Sequence, residues 1–507
     1  MALAEVGPTS PLEMSVLEQN AIALGVSLDT LMENAGRAVA EEATRHLPPA
    51  PARVGVLVGV GNNGGDGTCA AYYLQQWGYA AELFVVRPPT EIRSPAARRC
   101  LERAAAHAPL HVGIPRPAEL GEFALLVDAL LGTGQTGSLR GPYREMAAAA
   151  RESGVPLLSV DEPSGLGSAE ALRPKWTVAL TALKPGMTAE TCGEIVVREI
   201  GIPPEARSRT GPGEFLYYPA ASPLGGHPRP GRIAVLGGGP FAGAPALAGL
   251  AALRAGMERA TVLAPLPSAD RVQSFSPNLV VRAVGADHFR AADVPTILGW
   301  LEANPVDAVV IGMGAGRAEA TLEAFRALLP TLWEKYPLVV DADALDALPT
   351  SIPEGSAHRP VVVATPNLTE YARVFGGEPA TSWTERVEEV RRRAAALHLT
   401  LLVKGAADLL SDGGPTVANL SHPRALAVSG TGDLLAGVVG SLLARGVSPV
   451  PAARLASYWV GVAGYRAAAR MGLGLLATDV LEELAPVLTV GLDRVGRRAE
   501  TEATAQA

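Results

Sequence analysis

The run Val-Gly-Asn-Asn-Gly-Gly-Asp-Gly at residues 60–67 directly follows an apolar stretch at residues 54–60. An apolar strand that runs straight into such a loop leaves few architectures open, because glycine permits positive φ and bares main-chain N–H groups to whatever enters. A helix is predicted to start near Thr68, so that its positive N-terminal end faces the same point and favours a phosphate or another polar head. A second loop of this kind, Val428-Ser-Gly-Thr-Gly-Asp433, lies near the other end of the chain and opens another helix. Two ligand loops so far apart predict two sites on two domains.

The chain has 507 residues, beyond the size at which one hydrophobic core stops growing, so two domains of roughly 200 to 280 residues are expected. Apolar residues make up 48% and no charge-dense low-complexity tract interrupts them, which excludes a disordered or fibrous chain. With 43 Lys and Arg against 51 Asp and Glu the net charge is −8. Lacking a dense Lys/Arg cluster, the chain is not expected to take nucleic acid or membrane as its main partner. Small molecules are the expected ligands. Cys69, Cys100 and Cys192 show no CxxC or metal-type spacing, so a reducing cytoplasm and a fold held neither by disulfides nor by zinc are expected. Residues 1–11 lack the basic and apolar regions of a secretory signal. Residues 233–253 are uncharged and of membrane-spanning length, yet their glycines and two prolines read as strand, loop and buried helix.

Residues 28–47 carry apolar positions at helical spacing and end at Pro48-Pro49. Strand-like residues 54–60, 82–86, 125–127 and 157–160 then alternate with helical residues 69–77 and 142–152, the pattern of a parallel sheet covered on both faces, with ligands at the carboxyl ends. Residues 201–231, dense in Pro and Gly, are read as a linker zone, with the second domain starting near Ala220. Beyond it, residues 233–236, 260–263, 308–311, 338–340, 360–363 and 401–403 resume the alternation. The fold class is α/β, two doubly wound domains over residues 1–218 and 219–507.

Gly59-Val-Gly-Asn-Asn-Gly64 satisfies GxGxxG, but a dinucleotide fold also wants an acid at the end of the second strand, and here Glu82 begins that strand and Arg87 follows it. Asn62, Asn63 and Asp66 instead offer hard oxygen donors suited to an alkali cation; a tight turn built from Asn and Gly is the alternative. Asp128 before Gly132-Thr-Gly134, and Asp161 before Ser164-Gly165, bring further carboxylates to strand ends. His107 and His111 have helical spacing, but Pro109 between them excludes a metal pair.

These residues resemble the YjeF-type N-terminal domain, the NAD(P)H-hydrate epimerases. Leu31-Met-Glu-Asn-Ala-Gly-Arg-Ala38, the Asn62 loop, Val127-Asp-Ala-Leu, Asp161-x-Pro-Ser-Gly165 and Lys184-Pro-Gly186 match that family's motifs in order. The resemblance implies a Rossmann-like domain with potassium held by Asn63, Asp128 and Ser164. It lays the hydrated cofactor along Asn62, Asn63, Gly64, Gly65 and Asp66, then Gly132, Thr133, Gly134, Gln135, Thr136, Gly137 and Ser138, with Tyr143 and Asp161. Asp161, partnered by Lys184, is the acid/base candidate for inverting the hydrated C6 carbon. Glu162 stands where the family usually has an aliphatic residue.

In the second half, Ser429-Gly-Thr-Gly-Asp433 precedes apolar residues 434–443, so bare N–H groups and a helix dipole form an anion hole beside an Asp that can take a hydroxyl proton. No Walker A sequence occurs. With Lys404-Gly405, Val340-Asp-Ala-Asp343, Gly312-Met-Gly314-Ala-Gly316 and Gly237-Gly-Gly239, the chain resembles the ribokinase-like ADP- or ATP-dependent NAD(P)H-hydrate dehydratases. The resemblance implies a nucleotide with Mg²⁺ near Lys404, Gly405, Ala406, Ala407, Asp408, Gly430, Thr431 and Gly432, and puts Ala244, Gly314, Asn367 and Asp433 at the hydrated nicotinamide. Asp433 is the catalytic candidate. Asp341 and Asp343 either hold Mg²⁺ directly or, with Asp346, stabilise the turn. Asn367 stands where His is usual in Thr365-Pro-Asn, Thr431 replaces a Gly or Ser, and the family's late His-Gly motif reads Trp459-Val-Gly-Val-Ala-Gly-Tyr465.

The expected activities are epimerisation of R- and S-NADHX or NADPHX and nucleotide-driven dehydration of the S form, in a cytoplasmic homo-oligomer. A ribokinase-like kinase of a small alcohol with a non-catalytic N-terminal domain is the enzyme alternative, and a pair of binding modules without turnover the other.

Overall fold

The computed structural model describes residues 8–133, 137–219, 231–349, 361–377 and 379–497, and its contacts divide the chain into two units, Met1–Pro203 and Pro204–Ala507. In the first, α1 (Pro11–Ala23) and α2 (Leu28–Thr44) precede β1 (Arg53–Val58), α3 (Asn62–Gln76), β2 (Ala80–Val85), α4 (Pro95–Ala105), β3 (Leu110–Val112) and α5 (Pro117–Leu120). Then follow β4 (Leu125–Ala129), α6 (Pro142–Glu152), β5 (Leu157–Val160), β6 (Trp176–Leu180), α7 (Ala189–Cys192) and β7 (Glu194–Arg198). The strands are parallel, in the order β3-β2-β1-β4-β5-β6-β7. β4 and β5 are buried throughout, as strands covered on both faces must be, and so they read as largely apolar runs, with Asp128 and Ser159 the buried polar exceptions. The strand order reverses between β1 and β4, which opens a crevice at their carboxyl ends.

Helix α3 begins at Asn62, earlier than the expected start near Thr68, so Asn-Asn-Gly-Gly-Asp-Gly forms its first turns. The reason is steric. A Cβ on Gly64 would lie 2.0 Å from the carbonyl oxygen of Gly59, and only glycine lets the helix start directly against the strand end. Against expectation, Cys69 on α3 and Cys100 on α4 form a disulfide. Their spacing of 31 residues carries no local signature, but the two helices pack together and bring the Cα atoms to 5.4 Å. Cys192 is free and buried.

The second unit runs α8 (Pro204–Ser208), β8 (Arg232–Leu236), α9 (Gly243–Arg254), β9 (Arg259–Ala264), α10 (Leu266–Phe275), β10 (Val280–Ala283), α11 (Val294–Ala303), β11 (Ala308–Ile311), α12 (Glu319–Lys335) and β12 (Leu338–Val340). It continues with β13 (Val362–Ala364), α13 (Leu368–Phe375), α14 (Trp383–Leu397), β14 (Thr400–Val403), β15 (Asp408–Ser411), β16 (Val417–Asn419), α15 (Thr431–Ala444), α16 (Pro449–Met471) and α17 (Ala477–Arg494). The order is β10-β9-β8-β11-β12-β13-β14-β15-β16, parallel up to β14 and antiparallel beyond. The reversal falls between β8 and β11. Both units are thus doubly wound α/β. Residues 233–253 form most of β8, its loop and nearly all of α9, and no helix among the described residues is long and apolar enough to cross a membrane.

The expected linker zone is in part structured. Residues 204–219 belong to the second unit, where Thr210 N–H donates to Ala418 O (3.0 Å), buried Arg454 pairs with Glu214 (2.9 Å), and Arg445 donates to Tyr218 Oη (2.6 Å). A dense run of Pro and Gly suppresses regular structure without preventing its aromatic and charged residues from packing. The chain therefore divides at Pro203 rather than after Tyr218; residues 220–230 lie outside the described residues.

Candidate active sites

The crevice of the first unit is a cavity of about 1110 Å³. Asn62, Asn63 and Asp66 line it from the first turn of α3, Gly132 and Thr133 from the loop after β4, Tyr143 from α6, Asp161 from the end of β5, and Glu18 from α1. Gly64 and Gly65 are buried in α3 behind this surface, and Gly137 and Ser138 are exposed outside it. Gly134, Gln135 and Thr136 lie outside the described residues. Val60 N–H donates to Tyr143 Oη (3.4 Å), which ties α6 to the loop after β1.

Asp161 has φ +66°, a conformation an L-residue keeps only where its surroundings enforce it. They do so on three sides. Its N–H donates to Val178 O (2.8 Å), and its Oδ1 accepts from Leu180 N–H (3.1 Å) and from the Lys184 ammonium. Lys184, 1% exposed, also donates to Leu180 O (2.8 Å). Carboxylate and ammonium are thus held as a pair at the cavity wall. Next to them Glu162 is half-buried and pushed up to about 7, by burial first and then by the charge of Asp161.

Asp128 is buried. Its Oδ1 accepts from Ser164 Oγ (2.6 Å) and Leu130 N–H (3.3 Å), and its Oδ2 from Ser159 Oγ (2.8 Å) and Ser164 N–H (2.9 Å). Burial raises its pKa against those bonds, and no cationic side chain among the described residues relieves it. Asn63 lies against Gly132, with both carboxamide atoms buried and unpartnered. A buried polar group without a partner is costly. An uncompensated carboxylate, a hydroxyl and a free amide oxygen together make a donor set of the kind a hard cation takes.

In the second unit the strand-end loops converge on the N-terminus of α15. Lys404 Nζ donates to Asp341 Oδ1 (2.8 Å) and lies 3.9 Å from Glu370, while Thr365 Oγ1 donates to the same Asp341 oxygen (2.8 Å). Burial would lower the Lys404 pKa, but Asp341 and Glu370 outweigh it and raise it. A Cβ on Gly432 would lie 3.0 Å from Lys404 Nζ, so the ammonium reaches the first turn of α15. Asp433, in that turn, is pushed up to about 7 by burial and then by the charge of Asp341, with Lys404 opposing. It is a carboxylate poised near neutrality at a helix N-terminus. Gly430 caps the helix at φ +95°, a left-handed conformation that suits glycine, and Thr431 Oγ1 donates back to Leu426 O and Val428 O (3.0 and 2.9 Å).

Other expected residues have different surroundings. Ala244 and Gly314 meet, since a Cβ on Gly314 would lie 3.2 Å from that of Ala244. Asn367 Oδ1 accepts from Glu370 N–H (2.9 Å) and Asn367 N–H donates to Glu370 (2.7 Å), a capping box that occupies its oxygen at α13. Asp408, expected at the nucleotide, is buried and accepts from Gly405 N–H (3.1 Å) and Ser457 Oγ (2.6 Å). Its carboxylate holds the turn that carries Gly405, Ala406 and Ala407. Asp343 accepts from Gly316 N–H (2.8 Å), and Asp346 pairs with Arg317 and Arg373.

Residues 28–186 match the family described as YjeF-related protein N-terminus, and residues 233–486 that described as NAD(P)H-hydrate dehydratase. Over 498 residues the chain is 37% identical to the bifunctional NAD(P)H-hydrate repair enzyme Nnr of Pyrobaculum aerophilum, which covers 94% of this chain and 97% of the relative. The chain belongs to the family of bifunctional NAD(P)H-hydrate repair enzymes. It therefore joins an epimerase half to a dehydratase half. The repair enzyme of Methanothermobacter thermautotrophicus is 35% identical over 95% of both chains. The ADP/ATP-dependent NAD(P)H-hydrate dehydratase from Bacillus subtilis, co-crystallized with ATP and Mg²⁺, is 23% identical, covering 55% of this chain and 97% of that one at TM-score 0.46, a likeness too loose to add to the family assignment.

Two features at the first site have no counterpart in the sequence reading. Glu33, Cys69 and Cys100 converge behind α3, but Arg103 and Tyr73 bind Glu33 (2.5 Å each) and hold its carboxyl below the ordinary range despite burial, so a cation is already present there. The other is Glu18. Met14, Leu17, Glu18 and Ala21 follow the i, i+3, i+4, i+7 spacing of an inward-facing stripe, and a carboxylate at a core position of that stripe was the available signal.

Proposed function

We propose that the first unit, residues 1–203, inverts C6 of R- and S-NADHX or NADPHX, and that the second, residues 204–507, dehydrates the S form with ADP or ATP. One observation carries this reading: each site sets a carboxylate beside a lysine at the carboxyl edge of its sheet, Asp161 with Lys184 and Asp433 near Lys404. Asp161 serves the epimerisation as acid/base. Asp433 takes the proton of the C6 hydroxyl as that oxygen is phosphorylated, the N–H groups at the start of α15 stabilise the transferring charge, and the phosphate then leaves with the C6 oxygen as the N1 lone pair forms N1=C6, after which loss of the C5 proton to water restores the C5=C6 double bond. Lys404 steadies the phosphates.

The donor set of Asn63, Asp128 and Ser164 fits potassium, supported by the unpartnered Asn63 oxygen and the uncompensated Asp128. When bound, the ion supplies positive charge beside the cavity. Mg²⁺ enters with the nucleotide; Asp343, half-buried with its pKa raised by burial, is the nearer candidate to assist it, because Asp341 is already paired with Lys404. The reading includes a cytoplasmic homo-oligomer, which light scattering checks.

The test is incubation of the purified protein with mixed R- and S-NADHX, K⁺, Mg²⁺ and ADP or ATP, following reduced-nicotinamide absorbance beside an Asp433→Ala variant. Full recovery of both epimers, abolished in the variant, supports both activities. Recovery of only the S half refutes the epimerase, and a phosphorylated product released to solution favours a kinase.

A further inference from the structure

Glu18 is a charged residue of the first cavity to which neither the motifs nor the proposed function gives a task; Glu91 and Arg93, which line it too, are exposed. It sits on the inner stripe of α1, between buried Met14 and Leu17 on one side and buried Ala21 on the other, and lines the cavity with Asp66 and Asp161. The wall of α1 is tied to the site by its approach: Thr9 N–H donates to Leu183 O (2.8 Å), next to Lys184. A carboxylate costs several kcal/mol to place among apolar neighbours unless it is paired. Glu18 is engaged electrostatically with Asp161 and Lys184, yet Lys184 is already bonded to Asp161 and Leu180 O. The site thus holds more carboxylates than cations, and Glu18 is the member that enters from a separate element.

Inversion at C6 needs what one carboxylate fixed at one wall cannot supply. The hydroxyl must leave one face of the ring and an oxygen must return to the other. We propose that Glu18 is the second acid–base group of the epimerisation, working on the ring face opposite that served by Asp161. In one direction Glu18 gives its proton to the C6 hydroxyl oxygen; the C6–O bond breaks as the N1 lone pair forms an N1=C6 double bond, and water leaves. A solvent water then attacks C6 from the other face, the N1=C6 pair returns to N1, and the water's proton passes to Asp161. One proton has moved from Glu18 to Asp161, one water has been released and one taken up; the opposite direction reverses the roles. Glu18 is suited to start as the acid, since burial first and the charge of Asp161 second push it up to about 7, with Lys184 opposing. The charged groups facing it are Asp66 from α3, Asp161 after β5 and Lys184 after β6.

This inference rests on the epimerase reading of the first unit, and the test separates the two. The full chain is given R-NADHX without nucleotide, so that the second unit is idle, and formation of the S epimer is followed by chromatography against an enzyme-free blank. Wild type at the blank rate would sink the epimerase reading and the role of Glu18 with it. With wild type active, Glu18→Gln is expected to lose about 100-fold or more in kcat with KM within about threefold, and to lose the fall in rate above about pH 7 that wild type shows in this direction. Dehydration of S-NADHX with ADP, unchanged in the same preparation, reports that the chain is folded. Glu18→Asp, which keeps the acid but shortens its reach, is expected to fall about tenfold and retain the falling limb; this variant decides the matter if Glu18→Gln does not fold. A Glu18→Gln or Glu18→Asp protein with wild-type kcat and pH profile overturns the proposal.

Discussion

The second site makes a prediction of opposite signs. In the proposed mechanism Asp433 acts ionised, so kcat/KM for the nucleotide should rise with pH through a midpoint near the value of about 7 to which burial and Asp341 push that carboxyl. Lys404 opposes the rise and Asp341 drives it. Removing either charge while keeping side-chain volume moves the midpoint predictably. Lys404→Gln deletes the positive charge, so Asp433 holds its proton more tightly and the midpoint climbs. Asp341→Asn deletes a negative charge, keeps an acceptor for the Thr365 hydroxyl, and lets the midpoint fall. A neighbouring charge shifts a carboxylate by about 1 to 3 pH units when close, and screening at a half-buried group reduces that to about one unit in each direction. The assay is kcat/KM for ADP at fixed S-NADHX between pH 6 and 9, read as a midpoint rather than a rate because Lys404→Gln also weakens nucleotide binding. Substrate and nucleotide titrate identically in all three proteins, so differences between midpoints belong to the protein. Midpoints moving the same way in both variants, or unmoved in both with Tm intact, would refute Asp433 as the titrating base.

Three further outcomes are expected. Replacing K⁺ with tetramethylammonium should slow epimerisation at least about tenfold and leave dehydration of the S form unchanged, while Asn63→Ala should be slow in either salt. Thiol titration of the denatured, oxidised protein should find Cys192 alone reactive, and reduction of the Cys69–Cys100 bond should cost the first unit about 2–4 kcal/mol, seen as a Tm several degrees lower by calorimetry. Arg454→Met, which removes the guanidinium paired with the fully buried Glu214, should destabilise the second unit by about 3–5 kcal/mol, and adding Glu214→Leu should recover much of that loss.

How much of this was legible in the sequence follows from what each feature depends on. The central strands, such as β4, β5 and β11, were readable because burial on both faces leaves a largely apolar run. The edge strands β3, β7 and β10, half-exposed or more, carry no such run and were missed, as were the antiparallel β15 and β16 and the buried β6, which follows a segment with Pro174 and Lys175. Helix α1 was hidden by the residue that makes it interesting, since Glu18 interrupts its apolar stripe. Asp161, Lys184 and Asp433 stood out because strand-end carboxylates beside glycine turns are local patterns. The disulfide, the Glu214–Arg454 pair and the capping use of Asn367 are made by packing between segments, or by a side chain turning back on its own helix, and no local pattern announces them.

The departures from the family pattern now divide by physical role. Val460 stands where the histidine of the late His-Gly motif is usual, and it is buried beside Trp459, whose Nε1 donates to Leu484 O (2.7 Å). The change removes a polar group from a helix whose flank is core. Asn367 keeps an N-cap and so keeps α13, and with it Glu370 within reach of Lys404. Glu162 adds a carboxyl beside Asp161, but one pushed up to about 7 is in good part neutral at physiological pH and leaves the pairing of Asp161 with Lys184 as the dominant charge at that wall. None of these changes replaces Asp433, Lys404 or Asp161. A chain losing its activities would be under no constraint to hold Asp161 at a positive φ against Lys184, or to keep Asp433 desolvated beside Asp341, since both arrangements cost stability. Their coexistence with tolerated changes elsewhere argues that the departures adjust substrate fit and packing around two working centres.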